Sequence, residues 1–343
     1  MVCEVAARQV ESTMQSAVDL PATTFPNAFA ARMRSEARIE RVFRSATFLA
    51  AVLVLVLLAS IIISLIHGSW PAFHAFKWDF LTQQRWNPVT EQFGALAPLY
   101  GTVVSSLIAM LIAVPISFGI AIFLTETCPR WLREPISTGI ELLASIPSIV
   151  FGIWGLFVLA PILQRHVQPW LIEHVGELPL IGLLFQGPPF GIGLLTAGVV
   201  LAIMVLPFIT AVMREVFRMT PQSLKEAAYG VGATQWDVVR SVVVPWSRAG
   251  IIGGIMLGLG RALGETMAVT FVIGNAHRIS TSLLAPATTI SAAIANEFNE
   301  AVGELYTSAL IALGLLLFVI TFIIIGAARF MLMRLEARGG RRA

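Results

Sequence analysis

TPQSLKEAAYGVGATQWDVVRSVVVP, residues 220–245, is a polar island between two long apolar runs. Its punctuation predicts two short helices joined by a glycine turn. Thr220 is placed to cap the first helix, with Pro221 at the first helical position, where its missing N–H costs nothing. Gly230 and Gly232 break that helix. Thr234 is placed to cap the second, and Asp237 three residues later completes a weak capping box. Pro245 then ends it. A structured helix–turn–helix on one side of a very apolar protein predicts docking into another protein.

The remainder of the chain is built for lipid. Hydrophobic residues make up 57% of it and charged residues 13%, against about 25% charged in soluble domains. A helix needs about 20 apolar residues to cross a bilayer. Six runs meet that length, at 46–67, 97–124, 138–160, 191–213, 249–273 and 304–328. Glu141 and Pro147 interrupt the third, and Arg261 and Glu265 the fifth. The first run follows about 45 residues bearing six arginines. It is too long for the apolar region of a cleavable signal peptide.

Charge orients the spans. With the N-terminus inside, 18 of the 23 lysines and arginines fall in inside segments and four (Lys77, Arg85, Arg165, Arg278) outside, leaving Arg261 within a span. The positive-inside rule then puts both termini and the polar island in the cytoplasm. The net charge of +3 follows from topology, and no nucleic-acid partner is expected. Cys3 and Cys128 both fall on the predicted cytoplasmic side and suggest no disulfide framework. The five histidines are scattered singly, with no metal-ligand spacing. Residues 27–44 mix apolar and basic residues at roughly helical spacing, which suits a basic interfacial helix on the membrane lipid. Residues 68–96 hold Trp70, Phe73, Phe76, Trp78, Phe80, Trp86 and Phe93, residue types favoured at a membrane interface.

Within the island, Glu226-Ala227-Ala228 is followed after three residues by Gly232, and after nine more by Val242, Val244 and Pro245. This resembles the E-A-A-x3-G-x9-I-x-L-P motif of bacterial ABC-importer permeases, with valine in place of isoleucine and leucine. Two adjacent alanines leave room for a partner. Glu226 supplies a charge for orientation, and Gly232 permits a backbone angle closed to other residues. The resemblance implies a coupling helix seated in a groove of an ATP-binding subunit, with Glu226, Ala227, Ala228 and Gly232 at the contact. The chain has no G-x-x-x-x-G-K-[ST] run; the nearest, GLGRALGET at 258–266, lacks the lysine. ATP and Mg are therefore expected on a separate ATPase subunit, with no cofactor in this chain.

Arg261 and Glu265 stand four apart in GLGRALGETMAVTFVIGN, so on a continuous helix they share a face and pair. An intramembrane arginine is a functional-site residue by default. Gly250, Gly254 and Gly258 recur every four residues, as do Gly260 and Gly264, a spacing that lets helices approach closely. The run GRALGETMAVTFVIGN, residues 86–126 and residues 140–161 are similar to phosphate ABC-transporter permeases of PstC type. Sulfate and molybdate permeases share part of this, but Thr266-Met267-Ala268 and IPSIVFGIWG favour phosphate. The resemblance implies an all-α polytopic membrane protein of six helices with a type I importer core. It also implies a heterodimer with a second related permease, two ATP-binding subunits below and an external phosphate-binding protein above. Arg261, Glu265 and Thr266 would line the substrate pathway, Arg261 guiding the anion and Glu265 holding or releasing that arginine.

The expected organisation is a cytoplasmic tail (1–45), a first span (46–67) as an added anchor, an external loop (68–96), a five-helix core (97–328) with its coupling loop (214–248), and a basic tail (329–343). The expected setting is the bacterial inner membrane. A gradient-driven transporter would leave the E-A-A element without purpose, and no convincing internal repeat is present. A membrane enzyme lacks a serine–histidine pair or metal cluster, and the chain is expected to be a transport subunit, not an enzyme.

Overall fold

The computed structural model describes residues 27–179 and 181–339. The expectations for residues 1–26, Cys3 among them, lie outside the described residues. Two compact units are present, one ending at Ile63 and the other starting at Ser64. Five described helices are long and apolar enough to cross a membrane, or six if one bent pair is a single span.

Helix α1 (Asn27–Phe76) includes the first span, Glu40–Phe76. A short helix α2 (Asp79–Thr82) and a two-stranded hairpin follow, β1 (Trp86–Asn87) pairing antiparallel with β2 (Gln92–Phe93). Helix α3 (Leu96–Thr127) is the second span and ends in a π turn over Phe123–Thr127. Helix α6 (Leu194–Arg218) is the fourth span, and α12 (Glu304–Gly339) carries the last, Glu304–Phe330. These three agree with the apolar runs because nothing interrupts their periodicity except Pro115 and Pro207, which the helices absorb.

The third span departs from expectation. The apolar run 138–160 straddles a complete break rather than a kink. Helix α4 (Arg130–Ser145) stops before Pro147, and Ile146 is extended (φ −66°, ψ 129°), the conformation that a following proline imposes. The span is instead α5 (Ser148–His174), a helix interrupted by π turns at Gly155–Leu159 and Leu163–Val167. Glu141 therefore lies on α4, outside any span. Part of the stretch between the expected third and fourth spans, residues 161–190, is helix.

The fifth span is broken as well. Helices α8 (Gln235–Trp246) and α9 (Arg248–Gly264) meet at 72° at Ser247. Pro245 stands in the first turn of the final α-helical piece and does not end α8; the helix continues to Trp246. Helix α9 stops at Gly264, short of the expected 273, and a short helix α10 (Met267–Thr270) follows. Residues 271–289 then run without regular structure to α11 (Ile290–Glu297). Apolar surroundings tolerate such a chain only when protein satisfies its backbone. Here Gly193 N donates to Val272 O (2.9 Å), Leu195 N to Leu283 O (2.8 Å), Ala287 N to Ile273 O (3.0 Å) and Ala276 N to Ala287 O (3.0 Å).

Helices α3, α6 and α9 pack together around Ala109, Leu201, Val205, Ile209, Met213 and Ala262. Of the two glycine series, one is a packing seam. Gly250, Gly254 and Gly258 all face α6; a Cβ on Gly258 would lie 2.6 Å from Ile209 and 3.1 Å from Val205. Gly264 meets nothing, and Gly260 only Ile325 at 3.2 Å. A second core, with Phe80, Phe93, Ile290, Leu310 and Leu313, lies where the hairpin, α11 and the start of α12 meet.

Overpacking a well-filled seam costs about 1–3 kcal/mol, so Gly258→Ala should lower the thermal midpoint of the detergent-purified protein. At Gly253 a Cβ meets open space, and Gly253→Ala should keep or raise it. Equal effects at the two positions would contradict the seam.

Candidate functional site

The polar island folds as two helices about a turn. Helix α7 (Gln222–Gly230) has Pro221 as its N-cap and no side-chain cap. Thr220 therefore does not cap it. Its buried hydroxyl lies 3.5 Å from the Ser247 hydroxyl, at the α8–α9 bend. Gly232 takes φ +89°, a left-handed angle that glycine adopts without a steric penalty. Gly232 N donates to Tyr229 O (2.9 Å), and Ala233 N to Ala228 O (3.1 Å). The capping box of α8 is complete: Asp237 N donates to Thr234 Oγ1 (3.3 Å) and Thr234 N to Asp237 Oδ2 (3.0 Å).

Helix α7 presents its two sides differently. Glu226, Ala227 and Gly232 are exposed, while Ala228 is half-buried against the core. Beside them stand two large apolar side chains, Val231 at 87% and Trp236 at 65% exposure. Lys225 turns the other way. Its Nζ lies 2.6 Å from Glu126 Oε1, with side chains only 10% and 7% exposed. Gln235 Nε2 donates to the Glu126 carbonyl at 2.6 Å. Arg214, at the end of α6, reaches Glu141 on α4 at 2.8 Å. These bonds tie the loop to the ends of α3, α4 and α6 on one face of the molecule. Lys225 and Glu126 are 99 positions apart, so no local spacing signals the pair.

The structure does not pair Arg261 with Glu265. Helix α9 ends at Gly264, and Glu265 is extended (φ −70°, ψ 130°), so the residue four positions on leaves the shared face. Arg261 instead stacks on Phe208 of α6, guanidinium carbon 5.0 Å from the ring centre. Its buried Nε has no hydrogen-bond partner, and among the described residues it forms no ion pair. Glu265 Oε1 takes only a long contact from Ala268 N (3.4 Å), and Thr266 Oγ1 donates to Gly264 O (3.4 Å). The three residues thus gather at one helix break. An arginine at the centre of a spanning helix carries an insertion cost of about 2.5–3.5 kcal/mol.

The face opposite the loop holds a cluster that no motif indicated. Glu297 accepts hydrogen bonds from Trp86 Nε1 (2.6 Å), His277 Nε2 (2.6 Å) and Tyr306 Oη (2.7 Å). Trp86 stacks on His277 at 5.1 Å. The carboxylate thereby ties the hairpin, the irregular 271–289 segment and the start of α12 together. Burial would push the Glu297 carboxyl up, but the hydrogen bonds from His277, Tyr306 and Trp86 and the His277 charge outweigh it and hold it below its ordinary 4.5.

Residues 117–336 match the family model described as a binding-protein-dependent transport system inner membrane component. The chain belongs to that family. It is therefore a multi-pass inner-membrane transport subunit, and such ABC-importer permeases work with a partner permease and ATPase subunits. The phosphate transport system permease protein PstC of Mesorhizobium japonicum is 64% identical over 310 residues, covering 90% of this chain and 95% of the relative. The protein of the same name from Pasteurella multocida is 57% identical over 304 residues, covering 89% and 95%. Among solved structures, a chain of a bacterial ABC transporter involved in import of the acidic polysaccharide alginate matches with a TM-score of 0.57. That match has 17% identity and covers 88% of this chain and 99% of the other; it supports the fold.

A carboxyl held low in the folded state stabilises above its unfolded value, and that contribution is lost as pH falls through the folded value. The thermal midpoint should therefore hold from neutral pH to the ordinary glutamate range and drop below it. Glu297→Gln should lower the midpoint at pH 7, since hydrogen bonds to a charged group contribute about 1.5–3 kcal/mol, and should flatten the acid drop. An unchanged acid limb in the variant would contradict this role.

Proposed function

We propose that this chain is the membrane permease subunit of an ATP-driven importer that carries inorganic phosphate across the bacterial cytoplasmic membrane. The observation that carries the reading is near full-length identity of 64% with a phosphate permease. The geometry agrees with it. Glu226 and Ala227 of the E-A-A helix are exposed on one face, and Arg261, with no ion pair among the described residues, stands near the break that ends α9.

In this reading Glu226, Ala227, Ala228 and Gly232 seat the loop in a groove of an ATP-binding subunit. Val231 and Trp236 widen that contact. Two such subunits bind ATP and Mg and hydrolyse the nucleotide; this chain does no chemistry. A second, related permease completes a heterodimer, and an external phosphate-binding protein delivers the anion. Both termini and the loop lie in the cytoplasm in this reading, which the bias of 18 basic residues to four supports. The Glu297 cluster then faces the delivery side.

Arg261 suits a tetrahedral oxyanion because its planar fork offers two parallel hydrogen bonds. With no ion pair to break among the described residues, it meets the anion directly. Glu265 and Thr266 are close in sequence at the end of α9. A carboxylate there favours release, since a permanently tight site would trap the ion.

Arg261→Gln should cut phosphate uptake by about tenfold or more at normal membrane levels, the loss of one charge-assisted contact. Glu226→Lys and Gly232→Asp should weaken co-purification of the ATPase subunit while leaving the permease in the membrane. Normal uptake in the first variant would remove Arg261 from the pathway. Undiminished ATPase binding and hydrolysis in the other two would remove the loop from the contact.

A further inference from the structure

We propose that the buried Lys225–Glu126 ion pair is the joint through which α7 moves the end of the second span; this rests on α7 being the docking helix. Helix α7 sorts its residues by face, and adjacent positions have opposite duties. Glu226 and Ala227 are exposed for a partner, whereas Lys225 points into the protein. Its Nζ meets Glu126 Oε1 at 2.6 Å, and water has little access to either side chain. A pair so desolvated is held by its mutual attraction, and removing one partner strands the other charge.

The neighbourhood concentrates on the same residue. Gln235, on the far side of the glycine turn, donates to the Glu126 carbonyl at 2.6 Å. Both arms of the helix–turn–helix therefore grip one position of α3. That position lies in the π turn Phe123–Thr127, which closes with Cys128 N donating to Phe123 O (2.7 Å). A π turn carries one more residue in its hydrogen-bond ring than an α turn and is a recurrent feature of functional sites. Arg133 holds the other side, donating to Thr125 O (3.2 Å) and Cys128 O (3.4 Å).

From there the path to Arg261 is short in contacts. Helix α3 packs along α6, and Ser117 Oγ donates to Leu206 O at 3.0 Å. Two residues on, Phe208 carries the Arg261 guanidinium on its ring. A displacement of α7 by the docked subunit is thus delivered to α3 as a rigid shift. It reaches α6, on which Arg261 rests, without passing through the loop's glycine turn.

The test uses the complete assembly, both permeases with ATPase subunits and phosphate-binding protein, in vesicles. Labelled phosphate taken up and ATP hydrolysed are both measured. Lys225→Met and Glu126→Gln should each lower phosphate moved per ATP by about tenfold, while the ATPase subunit still co-purifies. The double charge exchange, Lys225→Glu with Glu126→Lys, should recover most of the ratio. Single variants with a normal ratio would overturn the joint. So would a charge exchange that assembles without recovery, or single and exchanged variants that all fail to assemble, since the pair would then be a structural requirement alone. If the unmodified assembly moves no phosphate with ATP, the importer reading itself fails, and the two failures are told apart.

Discussion

In an apolar environment every backbone group and every charge must find its partner within the protein. Most of what is unusual in this molecule follows from that constraint. The irregular chain between α10 and α11 survives because its amides and carbonyls bond to one another and to the start of α6. Thr102 adds a hydroxyl to the Ile290 amide at 2.9 Å. Gly101 removes the side chain that would collide with the Thr288 carbonyl. Buried charge obeys the same rule at Arg214, Lys225 and Glu126, each paired. Arg261 departs from it. Its guanidinium rests on the aromatic face of Phe208, and in the proposed reading it is the residue that answers to the anion.

The two faces of the molecule are held differently. On the loop face, the Lys225–Glu126 and Arg214–Glu141 ion pairs link segments that are far apart in sequence. On the opposite face a single carboxylate, Glu297, ties three segments through Trp86, His277 and Tyr306. Stacked and edge-on rings around Phe93 stiffen the same region. The helices themselves are irregular at the π turns of α5 and at the break at Glu265.

Hydropathy and turn chemistry made much of this legible beforehand. The first, second, fourth and last spans are uninterrupted apolar runs, and Gly230, Gly232, Thr234 and Asp237 placed the loop's turn and second cap correctly. Errors arose where one local rule overrode another. Hydropathy averaged across Pro147 and hid a full break, shifting the third span by about ten residues. The four-residue spacing of Arg261 and Glu265 encodes a pair only on a continuous helix, and α9 ends at Gly264. Thr220 looked like a cap, yet its hydroxyl is taken up at the α8–α9 bend. The Lys225–Glu126 and Glu297 contacts were invisible because they join distant segments, and no spacing encodes them.

Uptake of labelled phosphate into vesicles holding the full assembly, with and without ATP and with excess sulfate or molybdate, tests the account most directly. The account predicts ATP-dependent phosphate uptake that neither competitor reduces. ATP-dependent movement of sulfate or molybdate without phosphate would contradict the substrate, and uptake indifferent to ATP would contradict the importer itself.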